Sequence, residues 1–241
     1  MAISTNLLAW LRSVKPRRAM ALLLLLLPLT VGAQTVRDLW LSMPPSLAPY
    51  LSTSLRTQCL DFYDMHTDAQ TDNALKGKSR IDTLTSTFLA ATLSKAHTLQ
   101  MKLLPASGSG SGSASASSMV SGSGSSSSLS SCDSVLCVVR SWDGPKRDSE
   151  VQLFDRQWKP LQAPLTFSAD SFVCRPDTMS EERFSRLVAL LDPIMFSVSL
   201  SPAENVLLVK LSPIVPNPED EKAIEQILVQ RKLKWDGKTF K

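Results

Sequence analysis

Apolar and polar positions alternate along this chain with two periods, and the breaks between them are rich in Pro, Gly and Ser. Val36, Leu39, Trp40 and Met43 recur at helical spacing. Thr35 with an acid three residues on, Asp38, has the form of a capping box, and Pro44-Pro45 ends the run. A short helical turn around Leu47, Tyr50 and Leu51 is expected next, whereas residues 60–75 are acidic and ambiguous. Residues 83–93 are rich in β-formers and predict a strand, which Lys95-Ala96-His97 turns into a second strand over residues 98–104. Residues 135–142 and 150–158, on either side of a polar turn at Asp143-Gly144-Pro145, predict two more. Residues 34–165 thus read as a helix followed by a four-stranded antiparallel sheet.

Residues 166–241 use similar parts. Thr178-Met-Ser-Glu181 has the capping-box form, and Phe184, Leu187, Val188 and Leu191 line one helical face that Pro193 stops. Residues 194–200 and 206–211 predict strands paired around the turn Pro202-Ala-Glu-Asn205. Asn217-Pro218 followed by three acids is a helix start, with Asn217 as N-cap and the acids facing the helix dipole. Residues 231–235 alternate like a half-buried strand. The fold class is therefore α+β, antiparallel β-meanders with helices packed on them. The two halves look structurally alike but carry no repeat of fixed period.

The tract over residues 106–131 is almost wholly Ser, Gly and Ala, a composition that buries nothing and behaves as a flexible coil. Both its flanks read as strands, so it is expected to be an insertion in the loop of a β-hairpin. Loop-closure entropy grows only with the logarithm of loop length, so such an insertion is tolerated. A linker between two domains is the other reading, and it would separate strands that are natural neighbours.

The N-terminal segment changes the electrostatic picture. Arg12, Lys15, Arg17 and Arg18 precede an apolar run from Ala21 to Leu27, and Val31-Gly32-Ala33 supplies small residues for a peptidase. This is the layout of a secretory signal peptide over residues 1–33, cleaved after Ala33. The apolar run falls short of the ~20 residues of a spanning helix, and no later segment approaches that length. Four of the 26 basic residues fall in this segment, leaving 22 against 22 acidic ones. The remaining chain is formally neutral, which gives no reason to expect a nucleic-acid partner. The expected location is periplasmic or extracellular.

Candidate chemistry is sparse. Cys59, Cys132, Cys137 and Cys174 are an even set for an oxidising compartment, and four cysteines allow three pairings. Along a continuous strand Cys132 and Cys137 would lie ~16 Å apart on opposite faces, beyond disulfide reach. Buried free thiols are the leading reading, and whether any pair forms a disulfide stays open. Asp61, Asp64, His66, Asp68 and Asp72 are the densest set of potential ligands. Read as a calcium loop from Asp64, the set has Ala69 at the glycine position and Leu75 at the glutamate position, so a solvated acidic face is expected. His66 and His97 are the only histidines, and His97 is expected to be an exposed turn residue. No nucleophile elbow, zinc-protease motif, P-loop or dinucleotide fingerprint occurs. No catalytic, cofactor-binding or metal-binding residue is assigned. Trp40, Trp142, Trp158 and Trp235 are expected mainly in the core.

A family likeness is spread over the chain. It rests on Thr35-Val-Arg-Asp-Leu-Trp, Leu60-Asp-Phe-Tyr-Asp, Gly77-Lys-Ser, Met101-Lys-Leu-Leu-Pro, Val135-Leu-Cys-Val-Val, Val151-Gln-Leu-Phe-Asp-Arg-Gln-Trp-Lys-Pro-Leu161 and Lys234-Trp-Asp-Gly-Lys. Together these resemble an uncharacterised family of exported Bacteroidales proteins, classed as a domain of unknown function. The resemblance implies an envelope location and brings no catalytic residues; the Ser/Gly tract departs from the family pattern. The expected function is a non-catalytic binding or interaction module in the cell envelope, with an envelope protein as partner and the oligomeric state open. The alternative is a hydrolase or small-ligand-binding protein with an unrecognised site.

Overall fold

Val135, Leu136, Cys137, Val138 and Val139 are consecutive and each 1% exposed or less, because the strand that carries them has a packed layer on both faces. Strands buried on both faces read as unbroken apolar runs rather than alternations. The computed structural model describes residues 34–106, 134–162, 165 and 167–241. The expected signal peptide, the Ser/Gly tract beyond Ala106, and Cys132 lie outside the described residues.

Among the described residues the order is α1 (Val36–Ser42), α2 (Thr53–Asp64), β1 (Thr71–Asp72), β2 (Lys78–Leu84), β3 (Phe88–Ser94), β4 (His97–Pro105), β5 (Ser134–Asp143), β6 (Arg147–Phe154), α3 (Glu181–Ala189), β7 (Phe196–Leu200), β8 (Val206–Leu211), α4 (Pro218–Glu225) and β9 (Arg231–Lys234). Strands β1 to β6 form one antiparallel sheet in chain order, and β7, β8 and β9 form a second. The architecture is α+β. Strands β4 and β5, which flank the Ser/Gly tract in sequence, pair from His97↔Trp142 to Pro105↔Ser134. No described helix is long and apolar enough to cross a membrane.

The large sheet has six strands where four were expected, for local reasons. Residues 83–93 do not form one strand, because the Thr85 hydroxyl accepts from the N–H groups of Thr87 and Phe88 and turns the chain between β2 and β3. The short β1 comes from the ambiguous acidic stretch. At the far edge β6 ends at Phe154 rather than at Trp158. Asp155 accepts from the Gln157 and Lys159 N–H groups, and Trp158 takes a left-handed backbone with φ 64°.

One face of the large sheet carries α1 and α2. Thr35 and Asp38 make the capping box that their spacing predicts. Leu39, Trp40 and Met43 pack with Leu89, Leu99, Met101, Leu136 and Val138. Arg56, 2% exposed, ties the entry to α2 by donating to Leu51 O, Leu41 O and Thr53 Oγ1.

The opposite face is covered by the second sheet with α3 and α4. Phe88, Leu104, Val135, Cys137 and Val139 meet Leu187, Val198, Leu200, Val209 and Ile224 there. Helix α3 is capped by Ser180, which accepts from Arg183 N–H, not by Thr178. Helix α4 begins as expected, with Asn217 as N-cap and Pro218 in its first turn. Strand β7 is the edge nearest the large sheet, and side chains satisfy its outward N–H groups. Phe196 donates to Asp148 Oδ1, Val198 to Ser149 Oγ and Leu200 to Gln100 Oε1. Lys102 is buried, and its ammonium donates to the carbonyls of Ser201, Pro202 and Glu204 in the β7–β8 turn. A polar seam of four side chains on β4 and β6 therefore fixes where the second sheet lies. Residues 34–241 form one compact unit.

Candidate functional site

The two histidines singled out in the sequence go to separate places, His97 to the start of β4 and His66 to the end of α2. His97 is not an exposed turn residue but the buried first residue of β4. The Tyr50 hydroxyl shares a hydrogen bond with its Nδ1, and its ring stacks on Trp142 at 5.2 Å with 10° between the planes. Burial, then the nearby Arg140 charge, lowers the His97 pKa below its ordinary 6.5; burial raises the Tyr50 hydroxyl to about 12. His97 Nε2 has no hydrogen-bond partner among the described residues. Its neighbour is thus a phenol held protonated, not a serine or cysteine nucleophile.

The acidic run disperses as well. Asp64 pairs with Arg37, whose hydrogen bond lowers the carboxyl below its usual range. Asp72 pairs with Lys78 at 2.6 Å. Among the described residues no three His, Cys, Asp or Glu side chains are grouped to hold a metal ion. Cys59, Cys137 and Cys174 are free thiols, the first two buried. Burial pushes both buried thiols up, Cys137 most strongly. Trp40 and Trp158 are core residues, while Trp142 is 39% exposed.

The convergence of charge lies elsewhere, at one end of the large sheet. Asn73, buried behind β1, organises the β1–β2 turn with all its hydrogen-bonding capacity. Its Oδ1 accepts from the N–H groups of Leu75 and Gly77 at 3.0 Å. Its Nδ2 donates to Ser79 Oγ at 3.0 Å and Leu93 O at 2.8 Å. Gly77 follows from that arrangement, because a Cβ there would lie 3.2 Å from Asn73 Nδ2. Lys76 sits in the left-handed region at φ 57°. This turn and the β3–β4 turn stand side by side, and together they line a hollow of about 620 Å³. Lys76, Lys78, Arg80 and Lys95 line it with the hydroxyl residues Thr92 and Ser94. Lys78 is compensated by Asp72. Arg80 is compensated by Asp82 at 2.7 Å, which also accepts from Thr92 at 2.7 Å. Lys76 and Lys95 have no ion-pair partner among the described residues. The hollow therefore presents uncompensated positive charge, although residues 34–241 as a whole carry 22 basic and 22 acidic side chains.

A second hollow of about 440 Å³ shares Arg80 and lies against the end of α2, lined by Cys59, Tyr63, His66, Asp68 and Asp82 among others. It gathers His66 with two carboxylates. Its one thiol, Cys59, is held protonated by burial, and Asp82 is engaged by Arg80 and Thr92. The outer edge of β2 is blunted for strand addition by Arg80 and Asp82, by a bulge between Ile81 and Thr83, and by Tyr63, whose hydroxyl bonds both the N–H and the carbonyl of Leu84. Sequence reasoning missed the four basic residues. The available signal was Asn73 ahead of Gly77-Lys-Ser, a turn motif with a lysine on each side of its glycine.

The family model described as "Protein of unknown function (DUF3256)" matches residues 28–130 and 125–240. No curated protein matches the chain. Among solved structures, a domain of an uncharacterized protein from Porphyromonas gingivalis W83 is similar with a TM-score of 0.60 and 21% identity. The match covers 86% of this chain and 98% of that one, a likeness of fold.

Proposed function

The chain belongs to the DUF3256 family of proteins of unknown function, and from that premise we propose that it is an exported, non-catalytic interaction module that docks an acidic partner protein on the basic end of its large sheet. The observation that carries the reading is the meeting of Lys76, Lys78, Arg80 and Lys95 around one hollow with two of the four charges unpaired. Their placement is built, since the Asn73 hydrogen bonds hold the turn that carries Lys76 and Lys78. Clustered charge of one sign on a neutral protein steers an oppositely charged surface and sets its orientation. Export is supported by the basic, apolar and small-residue succession before Gln34, and it would place the partner in the envelope.

Two measurements test this. Fractionation of the native host with intact-mass analysis is expected to find the chain outside the cytoplasm, beginning at Gln34; an intact N-terminus in the cytoplasm overturns export. For docking, a photo-crosslinker at Leu75, 65% exposed beside the hollow, is expected to capture an acidic envelope protein in living cells. Capture is expected to weaken at high salt, because the Debye length falls to about 3 Å at 1 M, and to be lost in the Lys76→Glu, Lys95→Glu double variant. Capture that survives both changes refutes charge-driven docking, and so does an absence of any protein adduct.

A further inference from the structure

A third concave site lies toward the C-terminal end of the chain, and its chemistry differs from that of the basic hollow. The 3-10 turn Ala169–Phe172 packs beside β9, held by Arg231 Nε donating to Ser171 O at 2.8 Å and by Val229 N–H donating to Phe172 O at 2.8 Å. The C-terminal residues fold back on the same strand, where Lys234 and Lys241 exchange two backbone hydrogen bonds. Between these pieces is a cleft of about 240 Å³. Its apolar lining is chiefly aromatic, from Phe167, Phe172 and Phe240 with Leu233. Phe167 and Phe172 stand edge to face with centroids 6.1 Å apart, so their rings are held in place by each other.

The polar lining is one guanidinium and two serines, Arg231, Ser168 and Ser171. The hydrogen bond to Ser171 O uses Nε, which leaves the two Nη groups of Arg231 without a partner among the described residues. Among the described residues Arg231 has no carboxylate partner. Its neighbours on β9 are Lys232 and Lys234, and of these Lys232 is paired, with Glu204 at 2.6 Å. An aromatic slot with an unpaired cation in its lining matches a small molecule with an apolar ring at one end and an anion at the other. The size agrees, since an apolar cavity of about 150 Å³ takes benzene and this cleft has room for a ring with a short chain.

We propose that this cleft binds a small free arylalkyl carboxylate of roughly ten non-hydrogen atoms, its ring among Phe167, Phe172 and Phe240 and its carboxylate end-on against the Nη groups of Arg231. The site is independent of the basic hollow around Lys76 and Lys95, and neither reading depends on the other.

The test is calorimetric titration of the chain beginning at Gln34 with 3-phenylpropionate and, separately, with its neutral amide. Binding of the acid is expected near millimolar, the range for a ligand of roughly ten non-hydrogen atoms. The amide is expected to bind at least about tenfold more weakly, as loss of a charge-assisted pair implies. Arg231→Gln, an exposed substitution, is expected to reduce acid affinity by about tenfold and leave the amide unchanged. Quenching of Trp235, whose ring lies 5.0 Å from that of Phe240, gives a second readout. The Lys76→Glu, Lys95→Glu variant is expected to bind the acid normally, and its loss of binding would assign the anion to the other hollow. Equal affinity for acid and amide, an indifferent Arg231→Gln variant, or no saturable binding overturns the proposal.

Discussion

Lys102 is 2% exposed, and its ammonium donates to Ser201 O at 2.6 Å, Glu204 O at 2.7 Å and Pro202 O at 3.1 Å. Lys102→Met keeps an unbranched apolar stem of similar length and removes all three bonds at once. Each hydrogen bond from a charged donor contributes about 1.5–3 kcal/mol net. Against that, methionine avoids a desolvation penalty of several kcal/mol for a buried ion; the same burial holds the Lys102 pKa below 10.5. The freed carbonyls belong to a turn at the surface and regain water. The balance is a loss of about 2–3 kcal/mol, or about 5–10 °C in Tm for a domain of this size. Urea unfolding monitored by circular dichroism reads the global loss. Amide exchange of Ser201 and Val206, which close the turn, reads the local one, and those amides are expected to exchange faster by a larger factor than the core of β5. A variant as stable as the parent, with Ser201 and Val206 still protected, would refute the idea that this ammonium pins the second sheet.

Asn73→Ala removes four hydrogen bonds from a buried turn, and a loss of about 2–4 kcal/mol is expected in urea unfolding; a loss below about 1 kcal/mol would mean that the turn does not depend on Asn73. Stability is expected to fall in alkali through the buried thiols. An unfolded thiol ionises near 9.0 while Cys137 in the fold stays protonated, so its contribution is complete below pH 9 and declines above it by about 1.4 kcal/mol per pH unit. The drop between pH 8.5 and 10.5 is expected to be about 2 kcal/mol smaller in Cys137→Ala, and an unchanged slope would exclude that origin. His97 acts in the opposite range. Its folded pKa lies below 6.5, so its stabilising contribution is present above pH 6.5 and is lost as pH falls through the depressed value. The fluorescence of Trp142, stacked on this ring, is expected to change with a midpoint below 6.5, a transition absent in Trp142→Phe; a midpoint at or above 6.5 contradicts the burial argument.

Much of the secondary structure was legible because its determinants are local. Thr35 with Asp38 and Asn217 with Pro218 marked helix starts, since a cap needs only its own first turn. The apolar run at Val135–Val139 marked a strand, and the α+β class followed from period and spacing. Local turn chemistry was harder to weigh. Thr85 looked like a β-former, yet its hydroxyl competes for backbone N–H groups and ends a strand, which split one expected strand into β2 and β3. Ser180 replaced Thr178 as N-cap within two residues, the usual uncertainty of a helix boundary.

Other features have no local signature. Lys102 and Gln100 look like solvent-facing residues of an alternating strand, and only the arrival of a second sheet about a hundred residues later in the chain makes Lys102 a buried anchor and Gln100 a half-buried one. His97 looks like a turn residue until Tyr50, from 47 residues away, covers it. Lys76, Lys78, Arg80 and Lys95 are scattered single charges in sequence, and they become a site because antiparallel pairing brings two turns to one end of the sheet. The sequence by itself thus determined what period the elements follow and where α1 and α4 start. The tertiary structure alone decided which polar groups are buried and which charges meet, because burial and convergence depend on partners that the chain reaches only after it has folded.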